Sequence, residues 1–192
     1  MSTATSSYNQ ENLKKILLFS MSNSFTRLIE NGGLTTADKA FDTGTTGDIG
    51  HIMLTISGLE FRALVMLHYP AGKKASYFLN IYEGDERTTK HDNNLESFYT
   101  ELGNQFCGEI KRNLYKQFNH LGMSTPSLLS PTTSLLDIEN PLLIAKCHQS
   151  YEADHQFALG GSIYVFSNQS LEFSFDNAST TEVISTGELE FF

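Results

Sequence analysis

Basic residues are scarce in this chain of 192 residues. Lys and Arg number 13 against 22 Asp and Glu, which gives a formal net charge of −9. A nucleic-acid surface needs clustered Lys and Arg to neutralise phosphates, and a helix on a membrane surface needs a basic face. The sequence contains neither pattern, so it argues against nucleic acid or a membrane as the partner.

Long apolar runs and cysteine pairs are also lacking. The run ILLFSM at 16–21 follows two lysines, but it is too short to cross a bilayer and has no signal-cleavage pattern. The two cysteines, Cys107 and Cys147, lie in apolar surroundings without CxxC spacing. We therefore expect buried, reduced thiols and a cytoplasmic protein.

Length and composition suit one compact domain. Apolar residues make up 40% of the chain, which is enough for a core. Residues 1–7 are small and polar, which predicts a flexible tail before a single domain over 8–192. Because the predicted elements recur in similar order, we expect two related halves, at about 8–84 and 93–175.

Apolar periodicity predicts the elements. Spacings of three and four predict a helix over 9–31, which ends at Asn31-Gly32-Gly33 because glycine tolerates the left-handed conformation. Alternation predicts antiparallel strands over 49–57 and 59–69 with a turn at Gly58. Further elements are expected in this order: a short helix over 73–84, a long helix from Asp92 or Asn93 to about Phe118, an irregular or edge segment over 122–136, a strand over 141–148, a hairpin over 160–175 turning at Asn168-Gln169, and a short strand at 181–185.

The predicted fold class is α/β (α+β), an antiparallel sheet with long helices packed on it and two pseudo-symmetric halves.

Two short stretches echo each other. SMSNSF at 20–25 and ELGNQF at 101–106 share Asn at the fourth place and Phe at the sixth. The earlier copy opens with Ser20 and the later one with Glu101. This similarity of two residues in register agrees with a duplicated unit.

The long helix carries the candidate site. At about 100° per residue, Glu101, Asn104, Gly108 and Lys111 share a sector roughly opposite the apolar stripe. A carboxylate there can pair with a partner's cation, and a carboxamide can hold both a phosphoryl oxygen and a water. Spacing alone is weak support, because 14 Glu and 13 Asn in 192 residues give Glu-x-x-Asn about once by chance. Gly108 suits either a helix packing contact or the close approach of a partner.

Residues 101–114, ELGNQFCGEIKRNL, resemble the E-[IL]-x-N-x-x-x-G-x-x-K helix of the CheC/CheX family of chemotaxis phosphatases. The strand pair around Gly58 is similar to that family's first two strands. The resemblance implies a phosphatase acting on the aspartyl-phosphate of a CheY-like receiver. Glu101 would pair with the receiver's active-site Lys, Asn104 would orient the attacking water, and Gly108 and Lys111 would meet the partner. It further implies that the Mg²⁺ belongs to the receiver, and that the chain needs no cofactor of its own.

Departures from the family pattern keep alternatives open. Ser20 stands where a second Glu would open the first motif, although Asn23 remains, so the chain resembles CheX with one working site. A CheX-like homodimer is implied by resemblance alone. The alternatives are a non-catalytic CheC-like module that docks a signalling partner, and a structural dimerisation domain.

A second polar stretch, KCHQSYEADH at 146–155, gathers Cys147, His148, Glu152, Asp154 and His155. A metal needs three or four converging ligands, and this spacing matches no common site. We interpret the stretch as ordinary surface or strand-end polarity, and no metal site is expected.

Overall fold

The computed structural model describes residues 7–37, 49–71, 92–129, 140–153 and 156–176. The predicted helix at 73–84 and the predicted strand at 181–185 lie outside the described residues. So do residues 1–6 of the predicted tail, while Ser7 already begins the first helix.

The described residues form three helices and seven strands. They are α1 (Ser7–Ser24), α2 (Thr26–Gly32), β1 (Thr35–Thr36), β2 (Ile49–Ser57), β3 (Arg62–Pro70), α3 (Asp92–Tyr115), β4 (Gly122–Met123), β5 (Ser127–Leu129), β6 (Leu143–Ala153) and β7 (Gln156–Phe166). The long helix, the first strand pair and the edge character of 122–129 agree with the sequence prediction.

The predicted first helix is interrupted at Phe25. Backbone bonds continue across the break, since Phe25 N–H donates to the Met21 carbonyl and Ile29 N–H donates to the Phe25 carbonyl. The Thr26 hydroxyl lies 2.9 Å from the Ser22 carbonyl oxygen, a back-bond that bends helices. The second segment ends as predicted, with Gly33 in the left-handed conformation at φ 61°.

One antiparallel sheet organises the chain. Its strand order is β1-β6-β7-β3-β2-β4, and β5 also pairs with β2. The order is palindromic, because two hairpins, β2–β3 and β6–β7, meet through β3 and β7 at the centre. The short strand β1 from the first half pairs with β6 in the second, and β4 in the second half pairs with β2 in the first. Two pseudo-symmetric halves therefore interlock in one sheet.

Helices α1 and α3 lie side by side, antiparallel, on one face of the sheet. The rings of Phe25 and Phe106, the sixth residues of the two echoed stretches, pack with centroids 5.5 Å apart. The core between helices and sheet is built from alternate strand residues such as Ile52, Val65 and Ile163, all fully buried. Burial of this apolar surface is the main stabilising term of the fold.

The predicted hairpin over 160–175 is wrong. Strand β7 pairs instead with β6 before it and with β3, and residues 171–176 form no strand. These residues run as an extended segment, here called the strap, whose backbone is bound by side chains. Asn9 donates to the Leu171 carbonyl at 2.6 Å and accepts from Phe173 N–H at 2.9 Å, and Asn12 donates to the Phe173 carbonyl at 2.9 Å. The buried carboxamides of α1 thus make the hydrogen bonds that the backbone of a neighbouring strand would otherwise make.

Both cysteines are buried and unpaired by disulfide, as predicted. Burial raises the pKa of Cys107 to about 12 and that of Cys147 to about 11. The thiolate is the reactive form of cysteine, so both side chains act as small core residues.

Candidate functional site

Helix α3 presents a carboxylate and a carboxamide one turn apart. Glu101 is exposed and Asn104 is half-buried. Between and beyond them, Leu102 and Phe106 are buried against the sheet and α1. The 3.6-residue period that turns the apolar stripe inward therefore leaves both polar groups at the surface. Their three-residue spacing makes the two groups neighbours on the helix surface.

Two glycines of α3 have opposite surroundings. A Cβ added at Gly103 would lie 2.8 Å from Ile52 Cγ2, so this glycine lets α3 sit close on strand β2. A Cβ added at Gly108 would meet no described atom within 4 Å. Within the part of the chain that the structure describes, Gly108 is therefore an open notch rather than a helix packing contact.

The carboxylate of Glu101 is held by a neighbour. Gln105 Nε2 donates to Glu101 Oε1 at 3.0 Å, one helical turn further along the same face. The carboxamide of Asn104 has no hydrogen-bond partner among the described residues. Its donor and acceptor are both available to an incoming group.

The cations of this helix lie about three turns beyond Glu101. Lys111 is half-buried, and its charge opposes the effect of burial on the pKa of Cys107. The guanidinium of Arg112 forms an ion pair with the Glu109 carboxylate. Within the described ranges, no cation pairs with Glu101, so its negative charge is not neutralised there.

The counterpart stretch on α1 has a different geometry. Ser20 is fully buried, and Asn113 of α3 donates to its hydroxyl at 3.4 Å. Asn23 is exposed but has no carboxylate three residues before it. Ser20 thus belongs to the α1–α3 interface, and the carboxylate–carboxamide pair is found on α3 and not at this position of α1.

A row of polar side chains crosses the opposite face of the sheet. His51 Nδ1 lies 2.8 Å from His68 Nδ1, His68 Nε2 lies 2.6 Å from Ser162 Oγ, and His148 Nδ1 lies 2.8 Å from the same hydroxyl. The four residues, here called the histidine row, stand on the adjacent strands β2, β3, β7 and β6. Neutral rings can satisfy all three contacts in either direction along the row: His51 donates to His68, His68 to Ser162 and Ser162 to His148, or each of these bonds is reversed.

Burial governs the protonation of the histidine row. It lowers the pKa of His51, of His68 and of His148. The neighbouring His51 and His148 lower the pKa of His68 further, and Lys146 acts in the same direction on His148. These residues were not singled out as a group from the sequence. The sequence signal that could have revealed the group was the position of each residue in its strand, because side chains at alternate positions of paired strands share one face of the sheet.

Two further findings concern only the described residues. No three or more of their His, Cys, Asp and Glu side chains are grouped so as to hold a metal ion. None of their helices combines the length and apolar character that crossing a membrane requires.

Comparisons with known proteins establish the fold. No protein-family model matches the chain, and no curated protein matches its sequence significantly. Among solved structures, a CheC-like chemotactic protein from Shewanella oneidensis MR-1 matches with a TM-score of 0.62 at 15% identity, over 80% of this chain and 97% of that one. CheX from Borrelia burgdorferi, solved in complex with CheY, BeF3 and Mg²⁺, matches with a TM-score of 0.58 at 12% identity, over 83% and 98%. CheX from Vibrio vulnificus matches with a TM-score of 0.57 at 14% identity, over 80% and 98%.

The structural neighbours of this chain are therefore CheX and CheC-like chemotaxis proteins. At identities of 12–15% this similarity shows the architecture, an α+β fold with an antiparallel sheet. The function has to be argued from the residues of the site.

Proposed function

We propose that the protein is a phosphatase that hydrolyses the aspartyl-phosphate of a CheY-like receiver domain, acting through Glu101 and Asn104. One observation carries the proposal: a carboxylate and a half-buried carboxamide project together from α3 beside the notch at Gly108. The neighbour that was solved as a CheX–CheY complex supports a receiver as the partner.

Glu101 is the docking group. Its carboxylate is exposed and has no described counter-cation, so a lysine at the receiver's active site can pair with it directly. Charge complementarity of this kind sets the orientation and the rate of encounter more than it adds raw affinity. The open space at Gly108 lets the receiver's backbone come close to α3, and Lys111 lies at the edge of the same surface.

Asn104 is the catalytic residue. Its Oδ1 accepts a hydrogen bond from a water and its Nδ2 donates to a phosphoryl oxygen, which places the water for in-line attack. The water oxygen bonds to phosphorus while the bond from phosphorus to the aspartyl oxygen breaks. The aspartate leaves as a carboxylate, and the water's protons stay with the inorganic phosphate and the solvent. Positioning supplies most of the acceleration in such a reaction, so no side chain with a perturbed pKa is required.

The receiver brings the metal in this proposal. Mg²⁺ bound at the receiver's own acidic site would supply charge stabilisation for the phosphoryl oxygens. This chain contributes the amide and the carboxylate, and needs no cofactor of its own.

A receiver screen tests the proposal. Receivers phosphorylated with a small-molecule phosphodonor and Mg²⁺ are mixed with this protein, and phosphate release and complex formation are both measured. Faster dephosphorylation of at least one receiver supports the phosphatase. Binding without faster phosphate release would replace it with a non-catalytic docking module, and native mass measurement on the same samples reports whether the active species is a dimer.

A further inference from the structure

We propose that Gln105 is a positioning residue, whose side-chain amide holds the Glu101 carboxylate ready for the receiver's cation. The inference rests on the proposed function and deepens it, because it assigns a preparatory role at the same site to a residue outside the Glu-x-x-Asn pair.

The contact itself is direct. Gln105 Nε2 donates to Glu101 Oε1 at 3.0 Å, and both side chains are exposed. The four-residue spacing places them on adjacent turns of one helix face. An exposed glutamate otherwise samples several rotamers, and fixing such a side chain opposes binding. A glutamine that restrains it beforehand removes part of that cost.

The chemistry of the donor matters as much as its position. An amide is neutral, so it fixes one carboxylate oxygen and leaves the negative charge intact. An ionised carboxylate has about four acceptor sites on two oxygens, and this bond uses one of them. The remaining sites stay available for the receiver's lysine.

The described ion pair of α3 lies well away from this carboxylate. Arg112 is paired with Glu109, three residues before it. The arginine is thereby engaged three turns from Glu101. Among the described contacts, Glu101 therefore has a neutral partner and Glu109 a cationic one.

Three variants test the inference in the receiver assay, with kcat and KM measured separately. Gln105→Met keeps length and helix propensity but removes the donor, so we expect KM for the receiver to rise about two- to fivefold with kcat unchanged. Gln105→Lys supplies a cation at the favourable Glu-to-Lys spacing, which competes with the receiver's lysine, so we expect KM to rise about tenfold. Lys15→Met is the matched control, because it breaks an exposed contact of the same spacing, Lys15 to Glu11 at 3.0 Å, on α1. It should keep wild-type constants.

The outcomes separate this inference from the function on which it rests. Wild-type KM in Gln105→Met, or a fall in kcat with KM unchanged, would overturn the positioning role while leaving the phosphatase standing. A wild-type chain that neither binds nor dephosphorylates any receiver would overturn both. Far-UV circular dichroism of each variant checks that α3 is intact.

Discussion

Single side chains on α3 divide the proposed chemistry between them. Glu101 supplies charge at an exposed position, Asn104 supplies a donor and an acceptor at a half-buried one, and Gly108 supplies space. An exposed charge affects the rate of association with the receiver, whereas the carboxamide affects the chemical step because it would contact the reacting atoms. Substitutions at these three residues should therefore have different kinetic signatures.

Glu101→Gln removes the charge and keeps the shape. We expect KM for the receiver to rise about tenfold, equivalent to ~1.4 kcal/mol, with a much smaller change in kcat. The salt dependence of receiver association should weaken in the same variant, because the lost interaction is electrostatic. Steady-state kinetics at low and high ionic strength measure both. A variant that lost kcat alone would assign Glu101 to the chemical step instead.

The two glycines of α3 make a matched pair. Gly108→Ala should raise the free energy of unfolding by about 1 kcal/mol, because alanine favours the helix and its Cβ meets open space. Gly108→Leu should also fold, but it should weaken receiver binding. Gly103→Ala should lower the free energy of unfolding by roughly 1–3 kcal/mol, since its Cβ would overlap Ile52. Urea denaturation of the three variants checks these signs, and a stable, fully active Gly108→Leu would exclude a docking role for the notch.

Among the elements, α3 was predictable and the strap was not. The apolar stripe of α3 repeats at the helical period over several turns, so its outward sector could be assigned from the sequence, Glu101 and Asn104 included. The strap alternates like a strand in SLEFSF, but buried Asn9 and Asn12 bind its backbone in place of a neighbouring strand. A local pattern cannot reveal a partner that is about 160 positions away in the sequence.

Asn9→Asp tests how much the strap depends on α1. The substitution keeps the size of the side chain but replaces the donor to the Leu171 carbonyl with a carboxylate oxygen. We expect the free energy of unfolding to fall by about 2–3 kcal/mol, because a buried acceptor would face another acceptor. Gln10→Glu is the matched control, because it makes the same change at an exposed position of α1, where the Gln10 amide donates to the Lys146 carbonyl at 3.1 Å. Water can replace that bond, so stability should change by less than about 1 kcal/mol. Equal losses in the two variants would contradict the account of the strap.

The molecule as a whole combines a symmetric scaffold with an asymmetric site. The sheet is palindromic and the helices are paired, yet the outward carboxylate–carboxamide pair stands on α3, while Ser20 on α1 is buried against Asn113. The recurring order of the predicted elements was the signal for two similar halves, and an origin by duplication stays a prediction. The difference between Ser20 and Glu101 was visible in the sequence as well. The burial of Ser20 against Asn113 depends on packing between α1 and α3, which the sequence pattern did not specify. The domain boundaries at 8–192 stay a prediction.

We expect the histidine row to make the free energy of unfolding depend on pH. Burial lowers the pKa of its three imidazoles, so the unfolded chain binds more protons than the folded one below pH 6.5. The free energy of unfolding should therefore fall as pH drops through and below 6.5, by up to ~1.4 kcal/mol per pH unit for each histidine that stays neutral. Urea denaturation at pH 7.5 and 5.5 measures the change. His148→Gln should reduce it, and a stability that rises on acidification would contradict the burial of neutral imidazoles.

The most direct measurement for the central claim compares two asparagines that occupy the same place in the echoed stretches. The decay of a phosphorylated cognate receiver is followed alone and with wild-type protein, Asn104→Ala or Asn23→Ala. We predict that Asn104→Ala binds the receiver but does not raise its rate of dephosphorylation above that of the receiver alone. Asn23→Ala should raise that rate as much as the wild type does. Wild-type acceleration by Asn104→Ala would contradict the assignment of the chemistry to α3.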